Sequence, residues 1–287
     1  MAEWSIAIVL KTVDPQGSVA SNHSPSANDL PPTGLAHRLA CRSHINSRKQ
    51  KLSCDWKVKM GRPPKVDHIK QNFLKEIAAA EELVRAIRSF SGGINQAGPR
   101  GIHPQYVRQV VELAFMGVVA SWEEFLERIL VRYLAGAKSS TGYSPIFNSA
   151  KAKDIPHAYV LLSNRSTYDP TRNYLKVTDP DDLEEMASRF FSNHPFSIAV
   201  NYAVYLRHAS VIRNKVAHSS RKCTAQFKKT ALDLNQGTDG KLKQGYSPGN
   251  LLMARATQPF VQTSPSAETY FDEFMSLYRW LASALVP

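Results

Sequence analysis

The stretch from His103 to Gly136 constrains the fold more than any other. Val110–Ala120 is apolar nearly all round, and Trp122, Phe125, Leu126, Ile129, Leu130 and Tyr133 follow at spacings of 3, 1, 3, 1 and 3. An alternating strand cannot keep that period, whereas a helix puts those residues on one stripe. His103-Pro104 supplies the start, because proline fits the first helical position, where its missing N–H is not needed. The first half is expected to be deeply buried and the second to face the core on one side, with a bend near Gly117 or Ser121. A helix of this length and apolarity needs other helices packed around it, so the chain reads as all-α.

Three further segments carry the same period. Asp67 can cap a helix to about Phe90, with Ile69, Phe73, Ile77, Leu83, Val84 and Ile87 largely on one stripe and Gly92-Gly93 ending it. Phe196–Ala217 reads as one helix built on Ile198, Tyr202, Tyr205, Leu206, Ala209, Ile212 and Val216. A last helix runs from about Ala267 to Leu285, with Tyr270, Phe271, Phe274, Leu277, Tyr278 and Leu281 as its apolar face. Between these lie two loop-rich insertions, residues 137–195 and 220–264. The first holds possible short strands at Tyr159–Leu162 and Tyr174–Val177 and a short helix from Asp179-Pro180 to about Phe191. The second is polar and basic. The sum is a four-helix up-and-down core with elaborated connections, occupying residues 60–287.

Residues 1–59 read differently. They mix Ser, Asn, Pro, His and Arg without sustained periodicity. Met1–Ala7 and Ser21–Ala27 resemble translation through a bacterial serine tRNA gene: ATG-GCC-GAG-TGG would encode Met1–Trp4 and TCG-AAT would encode Ser21-Asn22. On that reading the segment is a mis-annotated extension and the true start is Met60; the rival reading is a disordered basic tail. No function is placed there. Gly61-Arg62-Pro63 matches the core of an AT-hook, a minor-groove element, but equally serves as a proline-bounded lead-in.

Composition narrows the function. Net charge is +12. Residues 1–59 hold 8 Lys+Arg against 4 Asp+Glu, and the remainder holds 28 against 20. The body is therefore basic in its own right, which favours a polyanionic partner, most simply nucleic acid. Cys41, Cys54 and Cys223 have no metal-ligand spacing and cannot all pair, which fits a reducing, cytoplasmic setting. No apolar run is long enough for a membrane span, Val110–Ala120 being short and interrupted by Glu112. Ile6–Leu10, preceded by Glu3, does not form a secretion signal. No acidic pair with a nearby histidine points to a metal, and no phosphate-binding glycine loop or nucleophile elbow is present. No metal or cofactor is expected.

The candidate chemistry sits in Arg213-Asn214-Lys215-Val216-Ala217-His218, at the end of the third helix. Arginine is permanently cationic and histidine titrates near neutrality, so the pair can hold a phosphodiester and move a proton without a metal. The bland alternative is a helix end whose arginine pairs with a carboxylate and whose histidine caps the last carbonyls. Five helical residues separate Arg213 and His218 by about 140° and about 7.5 Å of rise, so they share a site only at a helix terminus or across a partner. Asn214 and His218, at i and i+4, share a face, and Asn214 can orient His218 or a phosphate oxygen. Glu123, Glu124 and Glu127 could orient His218; the competing reading makes Glu124 and Arg128 a surface i,i+4 pair. His157, His194 and His208 read as structural or exposed.

The hexapeptide resembles the Arg-(Asn/Asp/His)-x-x-x-His signature of the HEPN superfamily, and Arg213, Asn214 and His218 match it position for position. Ser121–Glu127 is similar to the second-helix region of the RiboL-PSP-HEPN and related groups. The resemblance covers roughly residues 67–285, with the motif as its sharp part. It implies a helical domain with the motif at the end of the third core helix, and a metal-independent endoribonuclease of a toxin–antitoxin or antiviral-defence system. Its implied partners are RNA, a second copy of the chain whose motif helix meets the first across a dimer axis with Ile212 and Val216 in the contact, and an antitoxin protein. The alternative it leaves open is a non-catalytic module that binds RNA, a nucleotide or a partner protein.

Overall fold

The computed structural model describes residues 65–91, 102–169, 172–173, 175–235, 241–261 and 268–287. The readings of residues 1–59, of Gly61-Arg62-Pro63, of Gly92-Gly93 and of a strand beginning at Tyr174 lie outside the described residues. The described part is predominantly helical: α1 (Asp67–Ser91), α2 (Pro104–Leu134), β1 (Ile146–Phe147), α3 (Ile155–Ser163), α4 (Pro180–Ser188), β2 (Phe191–Asn193), α5 (Ser197–Asn201), α6 (Ala203–Ala217), α7 (Arg221–Leu234), α8 (Pro248–Met253) and α9 (Tyr270–Leu285). The strands β1 and β2 form a small antiparallel pair. No described helix is long and apolar enough to cross a membrane.

Helix α2 is the spine. His103 precedes it and accepts a hydrogen bond from the Gln105 N–H, and Pro104 opens it. It continues unbroken through Gly117 and Ser121. Its second half buries Trp122, Phe125, Leu126, Ile129, Leu130 and Tyr133 as the spacing required. Its first half corrects the expectation of all-round burial: Val111, Phe115, Val118 and Val119 are buried, but Tyr106 and Leu113 are exposed and Gly117 faces open space. An apolar circumference allows burial on every side; among the described residues, neighbours cover only one side here.

Aromatic contacts fix the helix directions. Phe73 of α1 stacks on Phe125 at 5.1 Å and lies 5.6 Å from Trp122, while Ser140, just beyond α2, donates to the Asp67 carboxylate, so α1 runs antiparallel to α2. Asp67 thus opens α1 but spends its side chain on this tertiary link. Leu83, expected on the buried stripe of α1, is half exposed, whereas Ile69, Phe73, Ile77 and Val84 are buried. Helix α9 follows α2 in parallel: Phe274 meets Phe115, Tyr278 meets Trp122, and the Tyr133 hydroxyl donates to the Leu285 carbonyl at 3.0 Å. Its start is fixed by a capping box between Thr269 and Asp272. Each large side chain buried in this way contributes roughly 1.5–3 kcal/mol relative to exposure.

The connections hold most of the differences from the sequence reading. Tyr159–Leu162 is helical rather than extended. Asp154 accepts from the His157 N–H, and Pro156 sits in the first turn of α3, an N-terminal signature that outweighs the aromatic and β-branched content. Residues 175–178 are not a strand; instead β1 pairs with β2, which takes Phe191 beyond the end of α4. The helix expected over Phe196–Ala217 is broken at Tyr202, whose N–H bonds Ala199 in a tightened turn while its ring lies 4.9 Å from Trp280. Residues 220–264 are not loop throughout. They contain α8 and the 14-residue α7, which buries Phe227, Thr230, Ala231 and Leu234.

Candidate functional site

Two helices and one short turn build the region around the motif. Phe196 packs against Tyr133, and Arg213 reaches Glu123, so α5 and α6 run antiparallel to α2 with the end of α6 beside the middle of α2. Helix α6 ends at Ala217. Ser220 caps α7 by accepting from the Cys223 N–H at 3.2 Å, leaving His218, Ser219 and Ser220 as the whole connection. The turn is pinned from α6, where Lys215 Nζ donates to Thr224 Oγ1 at 3.0 Å. Further along, His208 Nε2 lies 3.8 Å from Asp233, which makes α6 and α7 an antiparallel pair.

Arg213 is the best-held member of the motif. One terminal nitrogen donates to Glu123 Oε2 at 2.7 Å and the other to Asn214 Oδ1 at 2.9 Å. The Glu123 side chain is only 12% exposed and that of Arg213 29%, so the ion pair is partly shielded from water and one edge of the guanidinium faces out. Two of its five N–H donors are engaged in these bonds. The buried Tyr278, packed on Trp122, feels the same pair: its hydroxyl is pushed far above its usual range by burial, reinforced by the Glu123 charge and opposed by Arg213.

His218 is placed differently. Its N–H still closes the helical ladder onto the Asn214 carbonyl at 2.9 Å, but its backbone is extended, at φ −136° and ψ 132°. The residue is exposed, and no hydrogen bond joins its ring to any described residue. It does not cap the helix carbonyls with its side chain. The structure therefore brings the Arg213, Asn214 and Glu123 side chains together, and no hydrogen bond links the His218 ring to them. Asn214 orients the arginine, not the histidine.

The carboxylates of α2 divide in a way the sequence left open. Glu123 holds Arg213 rather than His218. Glu124 pairs with Arg128 at 2.9 Å on the surface, which removes it from the site. Glu127 is held above the usual carboxylate range chiefly by burial, opposed by a hydrogen bond from Tyr159. His194 and His208 are packed inside, each with a buried Nδ1 that has no hydrogen-bond partner among the described residues, and the half-buried His157 accepts from the Lys153 N–H. Among the described residues, no group of three or more His, Cys, Asp or Glu side chains is placed to hold a metal ion.

Sequence reasoning missed the contribution of α7 to this region. The signal was present in Ser220 followed by Phe227, Ala231 and Leu234, a cap and a helical stripe concealed by the polar and basic residues between them. Comparison with protein-family models, with curated proteins and with solved structures returns no match.

Proposed function

We propose that the protein is a metal-independent endoribonuclease of HEPN type, acting as a toxin or defence effector. One observation carries the reading. A histidine with an unengaged, exposed ring stands just past a helix end whose preceding turn presents an arginine oriented by Glu123 and Asn214. The alternating directions of α1, α2, α5–α6 and α9 support a HEPN-like four-helix up-and-down bundle, with the motif at the end of its third helix.

In such a site RNA supplies its own nucleophile. The 2′-oxygen attacks the adjacent phosphorus, the bond from phosphorus to the 5′-oxygen breaks, and the products are a 2′,3′-cyclic phosphate and a 5′-hydroxyl. His218 accepts the 2′-hydroxyl proton or donates one to the departing oxygen. Arg213 places fixed positive charge against the phosphorane oxygens. Tethering of the nucleophile supplies much of the rate. DNA lacks the 2′-hydroxyl and is inert. Arg213 and His218 do not meet within a protomer, which favours a homodimer in which two motif ends face one phosphate. Ile212 is fully buried inside the protomer and takes no part in such a contact, contrary to the sequence reading; Val216 is half-buried. An antitoxin protein is the implied restraint on the activity.

The Arg213–Glu123 ion pair also favours a second reading, a non-catalytic module in which the arginine is structural and the surface binds RNA, a nucleotide or a protein. Incubation of RNA with the purified protein in EDTA separates the two. The ribonuclease reading expects cyclic-phosphate products that are absent with His218→Ala. Cleavage that requires Mg²⁺ or Mn²⁺, or that survives both His218→Ala and Arg213→Ala, overturns it.

A further inference from the structure

We propose that the exposed face of α7 is a binding track for the backbone of single-stranded RNA, leading the strand to His218. The inference rests on the ribonuclease reading for its direction, but its physical basis is separate. Residues 220–264 hold 7 Lys+Arg against 2 Asp+Glu, so this segment carries +5 of the +8 found over residues 60–287. The charge is ordered by the helix that the sequence reading missed.

At 100° per residue, Arg221, Lys222, Lys228 and Lys229 fall within roughly 120° of the circumference, opposite the face that buries Phe227, Thr230, Ala231 and Leu234. All four are exposed, and none forms a salt bridge with any described residue. The one acidic residue of α7, Asp233, lies beside Lys229 at the edge of this face, but its carboxylate is 3.8 Å from His208 Nε2 and forms no ion pair with any of the four cations. The row spans about 12 Å along the axis, and its first member lies three residues beyond His218. Capping by Ser220 and the Lys215–Thr224 bond fix that end of the row against the motif helix.

A second feature continues the row. Near the other end of α7, Asn235 joins Arg108, Lys241, Lys243, Tyr246 and Asn250 in the wall of a cavity of about 580 Å³ with no carboxylate among its lining side chains. On the helical wheel Asn235, which lines the cavity, falls close to Lys228. Cations thus occur at the motif, along α7 and beyond it. Lysines without acidic partners, spaced along a line, suit a chain of phosphates; a compact acidic ligand needs a single cluster.

The test uses the full chain with Arg221→Gln, Lys222→Gln, Lys228→Gln and Lys229→Gln combined. A charge-matched control carries Lys75→Gln, Arg85→Gln, Lys138→Gln and Lys153→Gln. Binding of a fluorescein-labelled single-stranded oligoribonucleotide long enough to span α7 is followed by anisotropy across a salt series, in a His218→Ala background that prevents cleavage. The α7 variant should bind about tenfold or more weakly, and its slope of log K against log salt should shrink by about 0.7 for every phosphate that the helix no longer neutralises. The control should keep both. With His218 restored, the α7 variant should lose cleavage of the long substrate while retaining cleavage of a dinucleotide. Unchanged affinity and slope in the α7 variant, equal losses in the control, or a need for these cations only in binding an acidic protein would each overturn the track. A native chain that binds RNA through α7 but cuts neither substrate leaves the track standing and refutes the ribonuclease reading instead.

Discussion

Arg213 donates to Glu123 at 2.7 Å across 90 residues of chain, and the same guanidinium donates to its neighbour Asn214 at 2.9 Å. The arginine is therefore aimed from α2 as well as from its own helix. Glu123→Ala should lower stability by about 1.5–3 kcal/mol, the usual cost of losing a hydrogen bond to a charged group. It should also lower the rate of RNA cleavage by up to about 10²-fold through misplacement of Arg213. Glu123→Gln, which keeps one acceptor, should recover part of both. Thermal melting and single-turnover cleavage measure the two effects; full activity in Glu123→Ala would show that the arginine does not need this anchor.

His218 and Arg213 should separate when fold and activity are measured side by side. His218 is exposed and its ring has no hydrogen bond to any described residue, so His218→Ala should change stability by no more than about 0.5 kcal/mol. The same change should cost roughly 10²–10⁴-fold in rate, the usual contribution of a general acid or base. Arg213→Ala should abolish cleavage too, but with a lower melting temperature, because it leaves the largely buried Glu123 without its cation. Equal melting curves for the two variants would mean that the ion pair contributes nothing to the fold.

The legibility of this molecule followed the burial of its helices. Trp122 through Tyr133 and Tyr270 through Leu281 were readable because each apolar position on their stripes really is covered, so period and burial coincide. The first half of α2 misled because apolarity at Leu113 is not matched by neighbours among the described residues, and no single-helix pattern reports what packs outside. Helix α7 was hidden by the opposite imbalance, four buried positions among many charged ones. The break at Tyr202, whose ring meets Trp280 far along the chain, had no local signal. Within the motif, the residue types were legible, but the choice of Glu123 over Glu124 was decided by which face of α2 meets α6.

Acid should loosen the α6–α7 pair before it affects the core. Burial holds the His208 imidazole below its usual 6.5, against the opposing pull of Asp233, and His194 is lowered in the same way against Glu184. A histidine kept neutral in the fold but free to protonate when unfolded contributes fully above about pH 6.5. That contribution is lost as pH falls from there toward the lowered native value. The melting temperature should therefore drop as pH falls below about 6.5, and His208→Gln should make the drop shallower. A pH profile identical in the variant would place the acid sensitivity elsewhere.

The final expectation concerns assembly. Arg213 is held to Glu123 of α2 while His218 stands in the turn beyond α6, and no hydrogen bond joins their side chains. One RNA phosphate that needs both groups is better served by two motif ends facing each other. Two arginines brought together would repel, but each carries Glu123 at 2.7 Å, so the pair approaches with much of its charge already balanced. Since Ile212 is sealed inside each protomer, the contact must rely on the exposed turn from Ala217 to Ser220 and on RNA itself, and it should be weak in the free protein. Specific activity should fall on dilution and recover with added RNA. An excess of chain carrying both Arg213→Ala and His218→Ala should poison the native protein by forming mixed dimers. A sedimenting monomer with concentration-independent specific activity would exclude this arrangement and require Arg213 to leave Glu123 and swing toward His218 when RNA binds.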